Sequence, residues 1–343
     1  MKKAIVVLAA LLIAGGGIAY SSGLFKINLG ANAGSCQTDS EIAQQQRAAI
    51  DDAAMSYVRT VLGTNPADAY DLMTKEARAA TTADKFGASL RPFIQAMSPE
   101  NNIKVAHTYY LQSSGSGPDA RAICGPVSGY QWVSLEIKPG QSQAHVEISG
   151  QSRNNDLAFN LWLLRDQSNW RVQYFHFGLS SIVGLPPETL LQRARQERDA
   201  GHLFNAAMLY AGVQATIDRG PAFQLGIQQE LQEDLAKFQR PVELNGTPPF
   251  LWNMNGQKYS VAQVTIGGIA GKLGLAFILP QTTWNGFEEA DKSNKAFLTA
   301  FIATHPDYAR VFNFLVARAL KPDRSGGFGT VYENGKGFDE PKK

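Results

Sequence analysis

The chain of 343 residues has two cysteines, Cys36 and Cys124, and no Cys-x-x-Cys spacing. A redox motif and a cysteine-built metal knuckle are both excluded by that count. Its five histidines, at positions 107, 145, 176, 202 and 305, form no His-x-x-x-His pair. No Gly-x-Gly-x-x-Gly leads from a strand into a helix, and no P-loop occurs, so a phosphate cradle is not expected. Ser180-Ser181 lacks the setting of a nucleophile elbow. The formal net charge is only +2, which removes the electrostatic footprint of a nucleic-acid binder. Low-complexity sequence is confined to Ser113–Pro118, a loop. No cofactor and no metal is expected.

What is present begins with a leader. Met1-Lys2-Lys3 precedes an apolar run from Ala4 to Leu12 and then three glycines. This is the order of charged and apolar regions in an export signal. Ala31-Asn32-Ala33 fits the small-x-small cleavage rule. Uncleaved, Ala4 to Tyr20 meets the ~17 residues that spanning a bilayer requires. Residues 1–33 therefore read as an export signal or an N-terminal membrane anchor, with cleavage left open. The bulk of the chain is expected outside the cytoplasm, periplasmic or secreted, or held at the inner membrane by that segment. In an oxidising compartment Cys36 and Cys124 would pair as a disulfide; two unpaired thiols are the alternative.

Residues 129 to 178 predict an antiparallel sheet. Val133, Leu135 and Ile137 alternate with Trp132, Ser134 and Glu136; Ala144, Val146 and Ile148 alternate with Gln143, His145 and Glu147. A period of two separates a core face from a solvent face. Ala158 to Arg165 is apolar on both sides, and Asp166-Gln167-Ser168-Asn169 is a turn cluster. Trp170, Val172, Tyr174 and His176 are expected on one face, with Phe175 and Phe177 on the other.

Helices precede the sheet. Thr38 and Glu41 make a capping box, and Ile50, Ala54, Tyr57 and Val61 line a helical face. Asn65-Pro66 restarts a helix, with Tyr70 and Met73 apolar. Thr81 or Thr82 caps another, carrying Phe86, Leu90, Phe93 and Ile94. Ile103 to Leu111 is a further strand. The runs Asn65–Met73 and Thr81–Phe86, with the ending Asn169-Trp170-Arg171-Val172, resemble the nuclear-transport-factor-2-like (SnoaL-like) superfamily. That resemblance covers roughly residues 40 to 180, and it implies a cone of helices packed in a bent sheet, often around a pocket.

The fold class expected is α+β. A cone-shaped helix-on-antiparallel-sheet domain over 36–182 is followed by a helical hairpin segment over 185–239. A small C-terminal α+β domain over 241–333 and a flexible tail over 334–343 complete it. In the middle segment Gly201, Ala206, Tyr210 and Val213 sit at offsets similar to half a tetratricopeptide repeat, with no second copy. Pro221 to Gln239 is expected to be helical, with Phe223, Ile227, Leu231 and Leu235 as its stripe. Further on, Asn255-Gly256 marks a hairpin, and Tyr308 to Ala319 is read as continuing a helix beyond Pro306. The C-terminal domain resembles no family.

The candidate ligand-lining set is His107, Tyr109, Asn160, Trp162, Tyr174 and His176, on strands that would line or flank the cone's cavity. Each could equally be satisfied by the protein itself. Enzymes of the resembled superfamily, such as ketosteroid isomerases and polyketide cyclases, need an inward Asp beside an oxyanion-stabilising Tyr or acid. The strands here offer Tyr109 and Tyr174 but no inward carboxylate; Asp68 and Asp71 are the nearest and read as outward charges. The function expected is that of a non-catalytic, bacterial-type cell-envelope protein that binds a partner, associates with itself or scaffolds an assembly. The alternative is a binder of a small apolar ligand, or a lyase or isomerase, using the cavity.

Overall fold

The computed structural model describes residues 36–100, 102–113, 119–126, 128–152, 155–269 and 271–339. The segment read as an export signal or anchor lies outside them. Among the described residues no helix is long and apolar enough to cross a membrane. The chain forms two compact units, one reaching Ser181 and including Ala215–Glu233, the other built from Ile182–Gln214 and the chain from Asp234 onward. The stretch 185–239, expected as one helical segment, is thus shared between the units.

The first unit opens with β1 (Cys36–Thr38), a 3-10 turn (Asp39–Glu41) and α1 (Gln44–Val61). The Glu41 carboxylate accepts from the Thr38 N–H at 2.7 Å and its hydroxyl at 3.0 Å, so the capping box closes the short turn rather than starting α1. Pro66–Leu72 is a 3-10 helix, not the α-helix expected there. α2 (Lys75–Ala79) and α3 (Ala83–Met97) follow, capped by Thr74 and Thr82. Pro92 sits inside α3 without ending it.

Next come β2 (Lys104–Gln112), β3 (Ala120–Cys124), β4 (Val133–Ile137), β5 (Ser142–Ser152), β6 (Asn155–Asp166) and β7 (Asn169–Leu179). Five strands form one antiparallel sheet in the order β1-β2-β5-β6-β7. β4 does not join it, although its alternation places it in the same expected run; it pairs with β3 in a separate sheet.

One face of the five-stranded sheet packs on the helices. Ala144, Val146, Ile148, Phe159, Leu161 and Leu163 bury there against Ile50, Ala54, Tyr57 and Val61 of α1. β7 corrects one expectation. A bulge at Gln173 shifts the register, so Trp162 pairs with Tyr174 while Leu163 pairs with Val172. One extra residue exchanges the faces of every side chain beyond it. Trp170 and Val172 therefore join the helix-side core together with Phe175 and Phe177, and Tyr174 lies with Trp162 on the opposite face.

That opposite face has a cover of its own. β8 (Phe223–Leu225) pairs with β4, completing the order β3-β4-β8. Leu111, Ala122, Cys124, Leu135, Ile137 and Phe223 fill the space beneath it. The Cys36–Cys124 disulfide links β1 of the larger sheet to β3 of the smaller, with Cα atoms 5.8 Å apart and a sequence separation of 88. It points to an oxidising, extracytoplasmic setting. The helix expected over Pro221 to Gln239 begins only at Ile227, because Phe223 is drawn into strand pairing with Leu135.

The second unit contains α4 (Pro187–Asp199) and most of α5 (Leu203–Ile217), while α6 (Ile227–Lys237) lies mainly in the first unit and ends in the second. β9 (Phe250–Met254) and β10 (Gln257–Val261) form a hairpin around Asn255 and Gly256, whose φ angles are +51° and +77°. Both signs suit the tight turn that Asn-Gly favours. β11 (Gln263–Ile269), β12 (Lys272–Pro280), α7 (Phe287–Thr304), β13 (Phe314–Leu320), β14 (Gly327–Glu333) and β15 (Gly337–Phe338) complete the chain. Their sheet runs β11-β12-β13-β14-β15, with β12 and β13 parallel and the other pairs antiparallel.

β13 replaces the helix expected as far as Ala319. Its residues Phe314, Leu315, Val316 and Ala317 are all buried, and a strand covered on both faces shows an unbroken apolar run that fits a helical stripe equally well. The tail is not loose where it begins: it turns back, and Phe338 meets Tyr332 with ring centroids 5.1 Å apart. The core of this unit is aromatic: Phe277 lies 4.8 Å from Phe301 and 5.1 Å from Phe297, and Phe204 lies 5.4 Å from Phe301.

Candidate functional site

The six candidate residues fall on two neighbouring rungs of the five-stranded sheet. Tyr109 pairs with His145, His145 with Trp162, and Trp162 with Tyr174. His107 pairs with Glu147, Glu147 with Asn160, and Asn160 with His176. The alternation along each strand, and the bulge in β7, bring all eight to the face opposite the helices. The set is therefore not inside a helix-lined cone. It lies under β8 and the segment that leads into it.

The first rung is closed by apolar and aromatic contacts. His145 stacks on Trp162 with ring centroids 5.5 Å apart and planes 10° apart. Phe223 meets Tyr109 edge-on at 5.7 Å and His145 at 6.2 Å. The His145 Nε2 lies 2.8 Å from the Glu136 carbonyl oxygen, which can only accept. The ring proton is therefore on Nε2, and Nδ1 is left as a bare acceptor, buried and unpaired among the described residues. Burial drives the His145 pKa down to about 3, so the ring is neutral. Burial, and then the Glu147 and Asp39 carboxylates, push the Tyr109 phenol well up.

The second rung holds the charges. Arg219, 4% exposed, points its Nε at the Glu147 Oε2, 3.2 Å away. Its Nη1 donates to the carbonyls of Thr216 at 2.8 Å, Asp218 at 3.2 Å and Leu179 at 3.3 Å. His176 Nε2 lies 3.6 Å from Asp218 Oδ1. Burial lowers its pKa, and the Asp218 carboxylate opposes that shift. His107 is set apart from the group: exposed, it places Nδ1 3.1 Å from Asp39 Oδ2.

Two buried amides on this face differ sharply. Gln143 accepts from the Lys138 N–H at 2.9 Å and from Trp162 Nε1 at 3.1 Å, and donates to the Lys138 carbonyl at 2.9 Å. Asn160, 2% exposed, has neither its oxygen nor its nitrogen paired among the described residues. Leaving such groups unmade costs about 1–3 kcal/mol each.

Asp218 and Arg219 were not legible as site residues from sequence, because they flank a segment whose stripe suits a helix. The turn-prone Arg219-Gly220-Pro221 was the available signal. Gly220 has φ +77°, and a Cβ there would sit 2.8 Å from the Tyr174 hydroxyl. Only glycine allows both the left-handed backbone and the close approach.

Asp68 and Asp71 stay at the surface: Asp68 accepts from the Asn65 amide at 2.7 Å, and Asp71 faces Arg78 at 3.8 Å. Among the described residues no cluster of three or more His, Cys, Asp or Glu side chains is arranged to hold a metal.

In the second unit a different feature stands out. Trp252 is buried, and its Nε1 donates to the Glu243 carbonyl at 2.7 Å. The residue before each partner is an exposed aliphatic: Leu251 at 77% and Val242 at 76%. That hydrogen bond joins the two backbone segments that carry these exposed side chains.

Comparison of the chain with protein-family models, with curated proteins and with solved structures found no match in any of the three.

Proposed function

We propose that this chain is a non-catalytic, bacterial-type cell-envelope protein that binds a protein partner or scaffolds an assembly. The observation that carries the reading is the exposed pair Leu251 and Val242, held at one corner by the Trp252–Glu243 hydrogen bond. Two large aliphatics left in solvent on segments tied together by a buried tryptophan offer anchor points for a partner. The Cys36–Cys124 disulfide and the leader-like start support export, into the periplasm or to the outer face of the inner membrane. The partner is a protein of the same compartment, a second copy of the chain included. The helix-on-sheet arrangement around Asn65–Met73 and Asn169–Val172 is compatible with a nuclear-transport-factor-2-like first unit used as a binding scaffold.

Native mass spectrometry of the full-length protein, extracted gently from its own envelope, tests this. A stoichiometric protein companion is expected, and Leu251→Asp or Val242→Asp should weaken its retention about tenfold or more. Loss of one buried aliphatic contact removes about 1.5–3 kcal/mol, and 1.4 kcal/mol is a factor of ten. A companion-free wild type, or a companion indifferent to both variants, would overturn the reading.

A further inference from the structure

We infer that the face of the five-stranded sheet around Asn160 holds a small, neutral, polar occupant that both donates and accepts hydrogen bonds. Asn160 offers a carbonyl oxygen and an amide nitrogen, both buried and both unpaired among the described residues. His145 Nδ1, two positions removed in register on the adjoining strand, is a third buried atom in the same condition. Isolated orphans occur in proteins; three polar atoms on neighbouring rungs of one face point to a shared occupant. Buried water is the usual solution to such a set, and it makes about three hydrogen bonds.

The chemistry of the occupant follows from the inventory. Asn160 Oδ1 needs a donor, Asn160 Nδ2 needs an acceptor, and His145 Nδ1 needs a donor. Water, an alcohol or a carboxamide meets that demand. An ion does not, because the charges nearest on this face, buried Arg219 and part-buried Glu147, already face each other at 3.2 Å. His176 pairs with Asn160 in register and is part-buried, with Asp218 beside its Nε2 at 3.6 Å. A purely apolar ligand would leave all three orphans unpaired, which argues against the apolar ligand expected from the sequence.

A high-resolution crystal structure of the full-length protein, purified from its own envelope, is the test, with native mass spectrometry of the same sample. Density within hydrogen-bond reach of both Asn160 amide atoms is expected. Density without a mass adduct identifies water; density with an adduct identifies a small organic ligand. An empty site around Asn160 overturns the inference. The variant Asn160→Leu gives a second reading in solution. With an occupant, it should lower the unfolding midpoint by a few degrees, about 2–8 °C. With the amide truly orphaned, the same change should raise the midpoint, and that result also overturns the inference.

Discussion

Arg219 and Glu147, 72 positions apart in sequence, meet at 3.2 Å under the β8 cover of the first unit. The guanidinium is almost fully enclosed, and its Nη1 donates to backbone carbonyls. The pair fastens the 215–225 segment to the face that carries the candidate residues.

Breaking that fastening from one side leaves the part-buried Glu147 carboxylate without its partner. Arg219→Met is expected to destabilise the first unit by about 1.5–3 kcal/mol in denaturant titration. Restoring balance with Glu147→Leu in the same chain should recover most of the loss. A double variant whose cost equals the sum of the two single costs would show that the contact is not coupled.

Gly220 is the second point of attachment. Its φ of +77°, and the 2.8 Å approach a Cβ would make to the Tyr174 hydroxyl, leave no room for a side chain. Gly220→Ala is expected to cost about 1–3 kcal/mol. An unchanged denaturation midpoint would mean that the segment can lift from the sheet at little cost.

The disulfide closes a loop of 88 positions between β1 and β3. The chain-entropy relation then gives a stabilisation of about 4–5 kcal/mol. The double variant Cys36→Ala, Cys124→Ala should show a loss of that order, and the native protein should show no free thiol to labelling reagents.

Acid should destabilise the first unit through His145. Its folded pKa of about 3 lies below the ordinary histidine value of 6.5. Between those two pH values the unfolded chain binds a proton that the folded chain refuses. Stability is therefore full above pH 6.5 and falls as pH drops toward 3, by about 1.4 kcal/mol per unit. His176, shifted down by burial as well, adds in the same direction. Denaturation measured across this window should steepen in the wild type and flatten in His145→Gln. A flat wild-type profile would contradict a buried neutral imidazole.

The parts of the fold that were legible in sequence are those set by local pattern. Alternation located β5 and β7, an apolar run ending at a turn cluster located β6, the count of two cysteines pointed to the one disulfide, and Asn255-Gly256 marked its hairpin. What escaped depends on distant pairing. Phe223 fits a helical stripe with Ile227 and Leu231, and becomes a strand residue only because β4 is there to pair with. The bulge at Gln173 leaves no mark in composition, yet it sends Val172 and Tyr174 to opposite faces. β13 is apolar on both sides, so its period is unreadable until β12 and β14 flank it. The candidate set was legible as residues but not as a place: the strands could be read one by one, and the identity of the covering layer could not.

Leu251 is where the proposed function is most exposed to test. A photo-crosslinking residue placed at position 251 of the full-length protein, and activated in the intact envelope, should give one discrete protein adduct. The same probe at Lys292, an equally solvent-facing site in the second unit with 77% of its side chain exposed, should give none. An adduct at 251 that disappears with Val242→Asp is the expected result. No adduct at 251, or the same pattern at both positions, would contradict a partner-binding role for this corner.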